Sequence, residues 1–137
     1  DENSIEQANN FINIVNLEKG DLPPVLDIED YSEIQSVSRL KKGLLRWLVR
    51  VEEHYDIQPI IYTYFKFYSN HLEDDVRFSK YDYLLARYGN EIEYTQPGSN
   101  WLFWQYSKTG KTSGIRGNVD LNVYNKKQEN LKKILIK

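Results

Sequence analysis

The chain has 137 residues, the length of one domain or a piece of one. Its 40% hydrophobic and 28% charged residues suit a soluble globular fold, and a net charge of −2 gives no electrostatic reason to expect nucleic acid or an anionic membrane as partner. The lack of Cys excludes disulfides and thiolate metal sites, and no run of about 18 apolar residues is present to span a membrane.

No Met occurs either, so the chain is expected to be a processed product or a fragment, and no signal peptide is visible. Eleven Tyr and three Trp are many for this length; such rings build cores and also stack on sugars and other flat ligands.

In chain order, residues 2–18 read as an amphipathic helix with Ile5, Ala8, Phe11, Ile12 and Val15 on one face, stopped by Gly20. Pro23 and Pro24 force an extended lead into a strand over 25–29. A polar loop covers 30–36. The strongest helix spans 37–55, where Val37, Leu40, Leu44, Trp47, Leu48, Val51 and Tyr55 make one stripe. After Pro59 comes the β-branched and aromatic strand Ile60-Ile61-Tyr62-Thr63-Tyr64-Phe65. A short helix is expected within 66–80. Strand 83–88 is stopped by Gly89, and a loop carrying Pro97-Gly98 follows. Strand 101–106, a Gly/Ser/Thr/Lys loop over 107–118, a short strand over 119–123 and a helix over 126–136 complete the order. The near-continuous apolar strands predict an α/β fold whose sheet is covered on both faces. A complete eight-stranded α/β barrel typically needs about 250 residues, so five strands predict a partial barrel with open edges.

The stretch Leu22-Pro23-Pro24-Val25-Leu26-Asp27-Ile28-Glu29-Asp30 carries the main chemical signal. Period-two alternation puts Val25, Asp27 and Glu29 on one face, with the two acidic Cα atoms roughly 6.7 Å apart. Like charges side by side are unfavourable unless something uses or neutralises them. The pair sits at the C-terminal end of its strand, where α/β barrels and open α/β sheets keep their active sites. By itself, Asp-x-Glu at a strand end is more often a solvated terminus or a helix cap.

Five stretches in order resemble glycoside hydrolase family 25, the cell-wall muramidases. Leu22 to Glu29 is similar to the family's fourth strand. Pro59-Ile60-Ile61-Tyr62-Thr63 is similar to the fifth, Leu84-Leu85-Ala86-Arg87-Tyr88 to the sixth, and Phe103-Trp104-Gln105-Tyr106-Ser107 to the seventh. Gly114-Ile115 through Val119-Asp120-Leu121-Asn122 resembles its last loop and eighth strand. The resemblance implies an irregular TIM-like (β/α)5β3 barrel, of which this chain holds the last five strands and lacks the first three with their N-terminal aspartate.

What the resemblance implies about chemistry is specific. Hydrolysis of a glycosidic bond needs a carboxylic acid to protonate the leaving oxygen. Glu29 would be that acid, with its pKa raised by the neighbouring charge and a partly apolar site. Asp27 would orient or polarise the substrate's N-acetyl group or stabilise the cationic transition state, and Asp120 would complete the electrostatics. Tyr62, Tyr88, Trp104 and Gln105 are the expected sugar contacts, although Trp104 and Gln105 face opposite sides of an ideal strand. Each Tyr or Trp alone is more often a core residue. No metal or cofactor is implied.

The implied substrate is the peptidoglycan glycan strand, cut at the β-1,4 bond between N-acetylmuramic acid and N-acetylglucosamine, by a secreted or envelope-associated protein. An inactive glycan-binding module and a chitinase-like N-acetylglucosaminyl hydrolase are the alternatives. The open edges also give a route to self-association.

Other motifs lack essential parts. Gly110-Lys111-Thr112 resembles the tail of a phosphate loop, but Gln105 stands where the loop's first Gly belongs. His54 and His71 have no partners at metal-ligand spacing and read as surface or packing residues. Asp120-Leu121-Asn122 opens like a calcium loop, but Asn125 replaces the turn Gly. The lysines of 126–133 make a solvated helix face.

Overall fold

The computed structural model describes residues 2–29, 36–88 and 101–137. Most of the polar loop after β1, the Gly89 strand stop and the Pro97-Gly98 loop lie outside the described residues. Helix α1 (Glu2–Ile14) is followed by strand β1 (Val25–Asp27), helix α2 (Val37–Tyr55), β2 (Ile60–Tyr64), helix α3 (Phe65–His71) and β3 (Tyr83–Ala86). Then come β4 (Phe103–Gly110), β5 (Val119–Tyr124) and a single helical turn, α4 (Gln128–Leu131). Among the described residues, the kinds and order of elements are those expected from the sequence.

The five strands form one open sheet in the order β1-β2-β3-β4-β5. The first four run parallel and β5 returns antiparallel to β4. This is the sheet of a partial barrel, with two outer strands rather than closure. Register assigns the faces. Leu26 aligns with Ile61 and Tyr83, and Thr63 with Leu85 and Trp104. These side chains share the face toward the helices, where Leu26, Ile61, Tyr83 and Leu85 pack with Ala8, Leu44, Trp47, Leu48, Val51, Phe67 and Tyr68. Each aliphatic side chain buried completely in such a core, as Leu48 and Val51 are, contributes roughly 1.5–3 kcal/mol.

Helix α2 has the boundaries its apolar stripe predicts. Ser36 caps its start by accepting a hydrogen bond from the Arg39 N–H at 3.2 Å. Asp56 ends it in the left-handed conformation at φ 52°, which short polar side chains tolerate better than most.

Two helices are shorter than their periodicity suggests. After α1 the backbone turns, with the Asp21 carboxylate accepting from the Glu18 N–H at 2.8 Å. The same turn is tied to the last residues of the chain. Gly20 N–H donates to the Ile136 carbonyl at 3.0 Å, and Ile136 N–H donates to the Asp21 carbonyl at 2.9 Å. Pairing to this distant turn takes Ile136 out of the helix expected over 126–136. Strand β4 instead runs longer than expected, to Gly110, because β5 supplies a partner through two register shifts.

An ion cluster fastens the segment between α3 and β3 to α2. Asp75 accepts from Arg77 Nε at 2.8 Å and Nη2 at 2.6 Å, and from Lys41 Nζ at 3.0 Å. The Arg77 guanidinium first, and Lys41 with it, hold the Asp75 carboxyl well below the usual carboxylate range. A depressed carboxyl stabilises the fold above its unfolded pKa, and that stability drains away as pH falls below the ordinary value of 3.8. Asp75→Asn is therefore expected to lower unfolding free energy by about 1 kcal/mol at neutral pH, allowing for partial solvent screening. The gap from wild type should narrow in strong acid; urea melts at the two pH values check this.

Candidate active site

The opposite face of the sheet is a cleft lined by the C-terminal ends of the parallel strands. One row of aligned residues is Asp27, Tyr62, Leu84, Phe103 and Tyr124. The next is Tyr64, Ala86, Gln105 and Asn122. Ile28 N–H donates to the Tyr62 carbonyl at 3.0 Å, which carries the pairing beyond β1 and brings Glu29 beside Tyr64. The Glu29 carboxylate is the main influence on the Tyr64 phenol, raising its pKa.

Gln105 is the hub of the cleft. Its Oε1 accepts from the Tyr62 hydroxyl at 2.8 Å and from the Tyr88 hydroxyl at 2.6 Å. The side chain is 6% exposed, so both hydrogen bonds form in a largely dry setting. The rings of Tyr64 and Tyr88 meet edge to face, 6.3 Å apart at 82°. Small Ala86 separates Tyr64 from Gln105 in the row.

The electrostatics follow from this crowding. Burial first, and the Tyr88 hydroxyl second, push the Tyr62 phenol well above its ordinary pKa. Tyr88 is raised by burial, with the charges of Asp120 and Glu29 adding to it. Tyr64 is raised by Glu29 and then by burial. All three phenols are therefore protonated at neutral pH, and those of Tyr62 and Tyr88 serve as hydrogen-bond donors to Gln105. Asp27 lies on an edge strand and is exposed overall, yet partial burial of its carboxyl, then the Glu29 charge, raises its pKa above 3.8.

A raised carboxyl works on stability in the opposite sense from Asp75. The folded state keeps a proton that the unfolded chain gives up, so stability falls as pH rises from about 3.8 through the raised pKa. Asp27→Asn is expected to make the protein about 0.5 kcal/mol more stable at neutral pH, a small figure because the group is exposed. The advantage should vanish in acid, where Asp27 is neutral as well; denaturant melts across that pH range measure it.

Of the residues singled out in the sequence, Asp27, Glu29, Tyr62, Tyr88, Gln105 and Asp120 come together in this cleft. Asp120 takes its place through β5, two residues along from Asn122 on the same face. Trp104 does not join them, and its assignment as a sugar contact is corrected. Alternation along β4 aligns it with Leu85 on the helix face. There it is 6% exposed, donates from Nε1 to the Arg87 carbonyl at 2.9 Å, and meets the Trp101 and Tyr106 rings at 6.1 Å and 5.8 Å.

Tyr64 and Asn122 also face the cleft, beyond the residues singled out in the sequence. Period two along β2 from Tyr62, combined with the place of Glu29 two residues beyond Asp27, was the available signal for Tyr64. A cavity of about 920 Å³ opens beside Glu29, Tyr64 and Tyr88 and extends over α3. Among the described residues, no group of three or more His, Cys, Asp or Glu is placed to hold a metal ion. None of the described helices is long and apolar enough to cross a membrane.

Parallel β/α units giving way to an antiparallel strand, with acids and tyrosines at the strand tips, define part of an irregular α/β barrel. The sequence profile of glycosyl hydrolases family 25 matches residues 1–115, and the chain belongs to that family. "Uncharacterized protein YegX" of Escherichia coli O157:H7 is 36% identical over 125 residues, which are 91% of this chain and 44% of that protein. The chain thus spans less than half the length of the curated relatives it matches.

Among solved structures, a family 25 glycosyl hydrolase from Bacillus anthracis is similar with a TM-score of 0.78 at 28% identity, over 95% of this chain and 62% of that one. A bacterial lysozyme from Streptomyces coelicolor gives a TM-score of 0.80, over 96% of this chain and 65% of that one. At 24% identity that second likeness is one of fold.

Proposed function

We propose that residues 1–137 form the C-terminal part of a muramidase barrel that hydrolyses the β-1,4 bond between N-acetylmuramic acid and N-acetylglucosamine in peptidoglycan. The observation that carries this reading is the gathering of Asp27, Glu29 and the Gln105-anchored tyrosines on one face at the strand tips. Family membership supports it.

In this reading Glu29 donates its proton to the glycosidic oxygen as the bond to the anomeric carbon breaks. Asp27, whose pKa is raised, holds the N-acetyl group of the sugar that becomes cationic. Asp120 adds negative potential across the cleft, which favours that positive charge in the transition state. Tyr62, Tyr88 and Gln105 contact the sugar as a rigid set, since burial keeps both phenols protonated at neutral pH and the amide fixes both hydroxyls. The protein works outside the cytoplasm, in the cell envelope or secreted, where its substrate is.

The test is clearance of bacterial wall suspensions together with release of reducing ends. Lysis with new muramic reducing ends supports the muramidase. Reducing ends from chitin alone would replace it with the chitinase-like reading, and binding to walls without any release would leave a glycan-binding module.

A further inference from the structure

The cavity beside Glu29 carries charge that bond cleavage does not use. It runs from Glu29, Tyr64 and Tyr88 across α3, where Lys66 and His71 line it, and Arg87 closes the side next to β3. The Arg87 guanidinium lies 4.4 Å above the Phe65 ring, and His71 packs edge-on to Phe67 at 5.0 Å. These two heads are therefore held in position by aromatic rings, while Lys66 on the same helix is exposed. Among the described lining residues Glu29 is the one carboxylate. Asp27 and Asp120 belong to the neighbouring cleft and are not in this lining.

A strand of alternating N-acetylated sugars is uncharged along its backbone. Its negative charge lies on the carboxylates of the stem peptide attached to the lactyl group of the muramic sugar. At about 920 Å³ the cavity is at the upper end of the range for small-molecule pockets. We propose that it is a second binding site, for the carboxylate-bearing stem peptide, so that the protein reads peptide as well as glycan. The proposal rests on the muramidase reading, because that reading places the muramic sugar next to Glu29. Lys66, exposed on α3, supplies permanent positive charge facing the peptide, Arg87 lines the cavity beside it, and Glu29 stands at the glycan end.

The experiment compares two probes on protein carrying Glu29→Gln, which slows turnover enough for binding to be measured. One probe is a peptidoglycan strand bearing its stems; the other is the same strand stripped by an amidase, with the lactyl carboxylate that this exposes on each muramic sugar capped as the methylamide. Calorimetry at low salt should show the stem-bearing strand binding about tenfold more tightly, and added salt should shrink the difference. Lys66→Glu, at an exposed helix position, should weaken the stem-bearing strand about fivefold more than the stripped one. Lys66→Gln should fall between.

Equal affinity for the two strands, or a Lys66→Glu effect that is the same on both, overturns the stem site and leaves the muramidase reading standing. If neither strand binds and the wild-type protein releases no reducing ends, the muramidase reading fails and the stem site falls with it.

Discussion

Glu29→Gln is expected to reduce hydrolysis of peptidoglycan by about 10²–10⁴-fold, the usual span for losing a positioned proton donor. The substitution keeps the shape of the side chain and an oxygen on the side of Tyr64, the phenol that Glu29 influences most in the native cleft. What it removes is the transferable proton. The loss should therefore fall on kcat with KM little changed, the signature of an interaction used only in the transition state.

Glu29→Gln separates two roles that the cleft geometry alone leaves joined. A variant with normal lysis would remove Glu29 as the acid and pass the role to Asp27, the raised carboxyl one strand step away. A variant with normal kcat and raised KM would make Glu29 a binding group. Asp27→Asn is a useful companion, because it should cost activity while stabilising the fold at neutral pH. Opposite signs for the two readouts would show a residue kept for chemistry rather than for folding.

The parts of the fold that could be read in the sequence are those fixed by local pattern. Helix α2 needed only its stripe and Ser36, and β2 only its run of β-branched and aromatic residues. The ends of α1 and α4 were set by something local pattern does not contain. Backbone bonds between Gly20, Asp21 and Ile136 join stretches more than a hundred positions apart, and they outweigh the helical periodicity of 126–136.

The cleft shows the same division. Asp27 and Glu29 could be placed on one face by counting, since both lie along a single extended stretch. Trp104 and Gln105 could not be ranked that way, because alternation says that they differ in face and not which one faces the cleft. Register against Leu85 and Ala86 decides it. Tyr64 was hidden for the same reason, since its meeting with Glu29 depends on β1 pairing with β2 in one register rather than the next.

Gln105→Leu is the substitution that tests whether the cleft is built as a unit. Leu occupies a similar volume, so packing around a side chain that is 6% exposed should survive. The acceptor for the Tyr62 and Tyr88 hydroxyls disappears, leaving two phenol donors in a partly dry site. Each unpaired buried donor costs about 1–3 kcal/mol, so a destabilisation of roughly 2–6 kcal/mol is expected for the two.

Tyr62→Phe made alone should cost less, because Gln105 then still accepts from Tyr88. Made on top of Gln105→Leu it should recover part of the loss, because the orphaned hydroxyl is gone. A coupling between the two sites of about 0.5–3 kcal/mol in denaturant melts would establish the shared hydrogen bond, and strict additivity would rule it out. Hydrolysis by Gln105→Leu should fall about 100-fold even where the protein is fully folded, since a tyrosine freed from its anchor no longer meets the sugar in one position.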